Sequence, residues 1–508
     1  MATSSGVFAL LFALLSGGAN DMLDFVSSDA YWKAKGVTVS VEQLTADLKT
    51  PAAADVAAFI KALGSGSYPE REEAARKIIA VGVAAIPSLE KSSDDPDAEV
   101  ANHARSLTQQ IRLNSKANSV RRLMAIRTLG EMKKADALPA LKALLDSKEM
   151  FVADYAARSI AQIEGKPAPV RTIAAEALNG DLSLLPANCA VVGQTRFSGG
   201  KAFNLDQILK DVPAQPGEDR AAALNMMTTS IIQVADQVGN IRVESVTVGV
   251  SDNVGPNDGF AAIVVHGQYD AQAVSALVRK SIPNASTIEG VEVLSPEEHM
   301  ALAFLSDNRA MAITGASKEK LPVKEVLAAL QAKPNPAGHP LLATPEFAPF
   351  VASLNDSVHA WAVCKVSDSY RVAPFIAPFD TITLLGKQEK DGMNIRFAGA
   401  GKDAAAVKGA VDQINSGLAQ AKQEMPRIVQ QVPAMKPVAD FVQAIKCDAD
   451  GKNATLTSSF QGDITTLLAM PFMMFASERQ PVVVQPPAAV QVQRQADAPA
   501  AEKNEPKK

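Results

Sequence analysis

Hydrophobic positions along the chain change period near residue 185. Before it they recur at helical spacing: Val56, Phe59, Ile60 and Leu63 fall at i, i+3, i+4 and i+7, one face of an amphipathic helix. Gly64-Ser65-Gly66-Ser67 stops that helix. Tyr68-Pro69-Glu70 begins the next, with Ala74, Ala75 and Ile78 inward and Gly82 at its end. A short helix carries Ile86 and Leu89. Asp95-Pro96-Asp97 then reads as N-cap, first-turn proline and first-turn acid, starting a helix with Val100, Ala104, Leu107 and Ile111 on one side.

Pro167 and Pro169 mark a boundary, and beyond Leu185 apolar residues alternate. Strands are predicted over 189–197, 241–250, 260–266, 300–305 and 310–314. Helices are predicted between them near 220–238, 271–280 and 323–330. One order of elements occurs twice. Val246–Val250, Ala262–Gly267 and a helix opened by Asp270 correspond to Ile382–Gly386, Met393–Phe397 and a helix opened by Asp403. A final hairpin runs from Ile445 through Asp448-Ala449-Asp450-Gly451 to Phe460. The texture is α+β, with mainly antiparallel strands covered by helices.

The helical region also repeats. Pro87-Ser88-Leu89 matches Pro139-Ala140-Leu141, and Ala104-Arg105-Ser106 matches Ala157-Arg158-Ser159, at offsets near fifty residues. Val120-Arg121, Ala125, Leu129-Gly130, Leu138, Leu141 and Leu144-Leu145-Asp146 resemble a HEAT repeat, and Val152, Ala156, Ile160 and Ile163 supply the following half-unit. The resemblance implies stacked helical hairpins acting as a protein-interaction scaffold, with no cofactor. No binding residue of the HEAT-related bilin-attaching lyases can be placed here.

The domain reading is therefore a multidomain α+β chain. It has a signal peptide at 1–19, a connecting segment at 20–52 and HEAT-like helical repeats at 53–166. A two-part α+β domain follows at 185–333 and 341–476, joined around Pro334 to Pro340, and a disordered Pro/Gln/Ala-rich tail fills 477–508. The signal reading rests on the apolar run Val7–Leu15 followed by Ser16-Gly17-Gly18-Ala19, although Met1–Gly6 lacks Lys and Arg. It predicts a periplasmic or secreted protein with no transmembrane span; a cytoplasmic scaffold is the alternative. The net charge of -5 in 508 residues gives no global case for nucleic acid or an anionic membrane.

Candidate chemistry is sparse, and no catalytic, cofactor-binding or metal-ligating residue is predicted. His103, His266, His299, His339 and His359 contain no pair at ligand spacing. Glu297-Glu298-His299 lacks the second histidine of a zinc-protease motif. Gly193 through Ser198-Gly199-Gly200-Lys201 follows a strand as a phosphate loop does, but Ala202 replaces the magnesium-binding hydroxyl. Gly399-Ala400-Gly401-Lys402-Asp403 reads as a loop with a helix cap, and Asp448–Gly451 as a hairpin turn rather than a calcium loop. Asp356-Ser357-Val358-His359 alternates faces along a strand and cannot form a relay. Arg121, Arg122, Arg127, Lys133 and Lys134 read as a solvated outer face. Leu467–Phe475 reads as a last helix packing on the sheet. Cys189, Cys364 and Cys447 read as small buried hydrophobes, with one bridge open to any two that meet in the fold. The rival to the scaffold is an enzyme or small-molecule site in the α+β region, near His266, His359 or buried carboxylates.

Overall fold

The computed structural model describes residues 21–48, 56–169, 180–197, 220–252, 259–282, 284–295, 300–306, 309–315, 321–326, 338–355, 357–389, 392–431 and 435–461. The expectations for the signal peptide, Glu297–His299, Gly199–Lys201, Leu467–Phe475 and the tail lie outside these residues.

The chain enters through three short pieces: a 3-10 turn at Met22–Phe25, α1 (Ser28–Ala34) and α2 (Val41–Asp47). Although read as a connecting segment, this stretch buries Met22, Leu23, Tyr31, Trp32 and Leu44 in the largest core cluster. The reason is that its few large apolar side chains lack helical periodicity, yet each fills a site against a later element. Trp32 Nε1, for example, donates to Thr128 Oγ1 at 2.8 Å.

Helices α3 (Val56–Ala62), α4 (Tyr68–Val81), α5 (Ile86–Lys91) and α6 (Ala98–Glu131) follow, then α7 (Leu138–Lys142) and α8 (Val152–Ile163). Asp97, not Asp95, caps α6, its carboxylate accepting from the amides of Glu99 and Val100. Asp95 Oδ1 instead accepts from the Asp97 amide at 2.9 Å, so the proline sits in the turn before the helix. Helix α6 runs 34 residues without interruption, about 50 Å at 1.5 Å per residue. Two cores share it. Val100, Ala104, Leu107 and Ile111 pack with α3, α4 and α5 in a small separate cluster, the helical lobe. Val120, Leu123, Ile126 and Leu129 pack with α1, α2 and α8 in the main core. The HEAT resemblance opens a unit at Val120, but no turn separates it from the preceding helix.

The sheet has twelve strands: β1 (Cys189–Arg196), β2 (Arg242–Ser251), β3 (Phe260–Gln268), β4 (Ala285–Ile288), β5 (Val291–Leu294), β6 (Met300–Ser306), β7 (Arg309–Gly315), β8 (Val358–Lys365), β9 (Phe379–Glu389), β10 (Gly392–Gly401), β11 (Lys446–Asp450) and β12 (Asn453–Gln461). Their spatial order is β11-β12-β10-β9-β8-β1-β2-β3-β7-β6-β5-β4. Every ladder between these strands is antiparallel. Helices α9 (Arg220–Val238), α10 (Ala271–Ser281), α11 (Ala348–Ala352), α12 (Ala404–Gln431) and α13 (Lys436–Ala444) complete the described elements.

The two sides of the sheet share part of their strand order. β1-β2-β3 is a meander followed by α10 and a last strand, β7, that returns beside β3; β8-β9-β10 is followed by α12 and β12, which returns beside β10. The two sides meet where β1 pairs β8, with Gly193 opposite Ala362 at the centre of the register. A side chain at Gly193 would lie 2.9 Å from both Ala362 Cβ and Trp361 O. Gly193, first residue of the phosphate-loop look-alike, thus permits the close approach of the two halves.

Cross-strand partners share a face of the sheet. From Gly193 the row runs through Val248 to Ile263 on one side, and through Ala362, Leu384 and Phe397 to Leu456 on the other. Ile263 packs with the α10 cluster and Leu456 with the α12 cluster, so both helices cover the same face. The other face packs Val192, Val264, Ile313, Trp361 and Val363 against Leu182, Leu185, Leu342 and Phe347.

Candidate functional site

A buried ionic cluster fixes the helical layer to the sheet. Asp21 is fully buried; its Oδ1 accepts from Arg242 Nε at 2.5 Å and its Oδ2 from Arg242 Nη2 at 3.1 Å and Arg158 Nη2 at 2.6 Å. Arg242 Nη2 also donates to Asp154 Oδ2 at 2.7 Å. Arg158 Nη1 lies 3.5 Å from Asp24 Oδ2. The guanidinium of Arg242 stacks 4.6 Å from the Phe151 ring centroid, and that of Arg158 4.3 Å from Tyr155. Burial acts against charge on Arg242, but Asp21 and Asp154 outweigh it and hold the guanidinium charged. Burial, with Asp21 next to it, raises the Asp24 carboxyl above its usual range, against the pull of Arg158 and Arg127. The cluster joins the first described residues, α8 and the start of β2. It is a clamp whose charges answer one another.

The basic stripe on α6 belongs to the same packing and is not a solvated outer face. Arg127 Nη1 donates to the carbonyls of Leu23 at 2.9 Å and Val26 at 3.0 Å. Arg121 pairs Asp47 at 3.0 Å and lies 5.3 Å from the Trp32 ring centroid. Arg122 reaches Glu149 at 2.5 Å and the Leu48 carbonyl at 3.0 Å. These three guanidiniums satisfy carbonyls and a carboxylate of the entry segment and, for Arg122, Glu149 before α8; of the stripe, Lys133 and Lys134 stay exposed.

The histidines separate by environment. His339 is fully buried, its Nε2 donating to Pro186 O at 2.8 Å while Nδ1 accepts from the Leu341 amide; burial lowers its pKa. His266 is buried with Nδ1 3.3 Å from Asp181 Oδ2 and Nε2 3.6 Å from Glu244 Oε2. Arg309 Nε donates to Asp181 Oδ1 at 2.8 Å. His359 on β8 faces the Ser357 carbonyl at 3.2 Å. Two strands lie between β3 and β8, which puts about 14 Å between His266 and His359 and keeps them apart.

The remaining sequence candidates are local structure. Asp403 Oδ1 accepts from the Ala406 amide at 2.7 Å as a helix cap, and Gly401 ends β10. Asp448, Ala449 and Asp450 end strand β11, and Gly451-Lys452 make the two-residue turn to β12, with Gly451 at φ 57° and Asp450 opposite Asn453. Cys189 packs with Leu185 on one sheet face and Cys364 with Val407 on the other, so these two do not meet; all three cysteines are free.

One surface feature of the lobe has the form of a binding site. Between α5 with its following 3-10 turn and α6 lies an open recess of about 450 Å³, lined by Glu90, Ser93, Arg105, Thr108, Gln109 and Arg112. Arg105, Thr108, Gln109 and Arg112 stand at i, i+3, i+4 and i+7, adjoining the apolar stripe of the same helix. Arg105 is braced against Ser93 O by Nε at 3.1 Å and Nη2 at 2.8 Å, and against Asn102 Oδ1 at 3.1 Å. Arg112 Nη2 pairs Glu90 Oε1 across the recess. The Thr108 hydroxyl is buried and has no hydrogen-bond partner among the described residues. Sequence reading missed this group because its polar residues read as an ordinary solvated helix face. Their one signal is their helical register.

No family model matches the chain, and no curated protein sequence does. Three crystal forms of TP0453 match the chain at 11%, 10% and 11% identity, with TM-scores of 0.34, 0.31 and 0.31. Each comparison covers 57% of this chain and 96% of TP0453. Among the described residues no helix is long and apolar enough to cross a membrane.

Proposed function

We propose that the chain is a non-catalytic, exported protein of the bacterial cell envelope whose HEAT-like helical region, residues 53–166, is a protein-interaction scaffold that meets its partner through the lobe of α3, α4, α5 and the first half of α6. The observation that carries the reading is the lobe itself. It has its own core and joins the main core through α6. Its surface offers the open recess together with exposed Tyr68 (63% accessible) and Val83 (57% accessible). Large apolar side chains left in water on the same lobe as a polar recess suit recognition by a second surface. Export rests on the apolar run and small residues of 1–19.

The test is affinity capture from the native host by the full chain and by a Tyr68→Glu, Val83→Glu variant. A partner retained by the first and lost by the second supports the reading; equal retention contradicts it. Amino-terminal sequencing tests export, which an intact Met1 on cytosolic material rules out.

A second reading, a small-molecule site in the sheet region, draws on His266 between Asp181 and Glu244. It requires solute to reach His266, which is 5% accessible. Carbethoxylation of His266 in the folded protein would favour it.

A further inference from the structure

We infer that the lobe recess receives the carboxylate side chains of an acidic peptide segment, an inference that rests on the lobe being the binding module. Three observations point to that chemistry. The first is donor geometry. Arg105 and Arg112 stand two turns apart on one helix face and flank Thr108. A guanidinium offers its N–H groups in a fork matched to a carboxylate, and Arg105 is already held in place by Ser93 and Asn102.

The second is the Thr108 hydroxyl. A threonine inside a helix ordinarily satisfies its hydroxyl on the preceding turn, as Thr128 does on Met124 O at 2.6 Å. Thr108 does not. A buried hydroxyl without a partner is costly, and because its oxygen has almost no exposed surface, a ligand oxygen completes it only when the recess lining shifts to admit it.

The third is that the recess already holds a carboxylate. Glu90 Oε1 sits on Arg112 from across the recess, with both side chains more than half exposed, at 51% and 60%. Exposed pairs of this kind are weak and exchangeable. The Glu90 carboxylate therefore occupies a place that a partner's carboxylate can take, and it acts as an internal competitor. The recess is open to solvent, so a partner's side chain can enter it, and the net charge of -5 argues against indiscriminate binding of polyanions elsewhere.

The probe is a fluorescein-labelled hexaglutamate peptide, its binding to the full chain followed by fluorescence anisotropy at low and high salt. The expected result is saturable binding that weakens at high salt and is absent for hexalysine. Arg105→Gln with Arg112→Gln should weaken it about tenfold, and Thr108→Val several-fold. Glu90→Gln should strengthen it several-fold. That last variant leaves the Arg105 braces intact, so a fold defect cannot imitate its effect. No binding, equal binding of hexalysine, indifference to all these substitutions, or full competition by inorganic phosphate at matched ionic strength would each overturn the inference. If the peptide fails while the Tyr68→Glu, Val83→Glu pair still abolishes capture of a partner, the carboxylate inference falls and the lobe reading stands. If both fail, both fall.

Discussion

Asp21 and Arg242, 221 positions apart, form a bidentate pair at 2.5 and 3.1 Å, with both side chains almost wholly removed from water. An isolated charge in that place would be prohibitively costly, so each needs the other. The backbone repeats the link, since the Met22 amide donates to Ile241 O at 2.7 Å. The helical layer is thereby registered on β2, which sets where α6 and its lobe stand.

Removing one member of that pair leaves the other buried without its partner. Arg242→Met should destabilise the protein by about 3–5 kcal/mol in urea denaturation. Combining it with Asp21→Asn should cost less than the sum of the single changes by at least about 1 kcal/mol. Strict additivity would mean that the two do not act as a unit.

A second lock couples α6 to the helix after β3. Lys116 pairs with Asp270, and Asp270 Oδ1 caps α10 by accepting from the Ala273 amide at 2.8 Å. Burial acts to raise the Asp270 carboxyl, but the Lys116 and Ala273 hydrogen bonds prevail and hold it below its usual 3.8. A depressed folded-state pKa contributes stability above the unfolded value and loses it as the pH falls through the folded one. Asp270→Ala should therefore cost about 1–2 kcal/mol at neutral pH, and that cost should shrink as the pH is taken below about 4. A cost that stays constant through acid pH would contradict this.

Gly130 lies where α6 crosses α8. A β-carbon there would come within 2.8 Å of the Ser159 backbone Cα and 2.7 Å of its Oγ. Alanine normally favours a helix over glycine by about 1 kcal/mol, but the overlap should cost about 1–3 kcal/mol. Gly130→Ala is thus expected to lower the thermal midpoint, whereas a rise would show that the helices have room to part.

Burial pushes the Cys189 thiol up to about 12 and the Cys364 thiol up to about 11, and raises Cys447 as well. Thiols held protonated and covered react slowly with electrophiles. Iodoacetamide at neutral pH should leave the native protein unlabelled and modify Cys189, Cys364 and Cys447 once denaturant is added. Labelling of Cys189 in the native state would contradict the packing described for it.

Much of the sheet was legible because its alternation is local. Residues 220–238 were read as a helix with the observed bounds, and the correspondence of Val246–Val250 with Ile382–Gly386 reflects equivalent strands of the two halves. That the halves share one continuous sheet was not legible. The β1–β8 ladder joins Gly193 to Ala362 across 169 positions, and neither residue carries a pattern that reports its partner. Strands β4 and β5 were missed because four residues each are too few for a period to declare itself. The Arg121–Arg127 stripe was misread for a related reason. Helical position alone does not say whether a guanidinium meets water or the carbonyls of a distant segment. The lobe recess depended on the same long-range information, since Glu90 and Ser93 reach it from another helix and its turn.

The most direct test of the binding role of the lobe is site-specific photo-crosslinking in the native host. A photoreactive residue would be placed at Val83 or Gln109 on the lobe, and in separate chains at Arg396 or Thr457 on the exposed strands β10 and β12. Discrete adducts with the same partner are expected from both lobe positions and none from the two sheet positions. Adducts from the sheet positions alone would place the interaction surface elsewhere and contradict it.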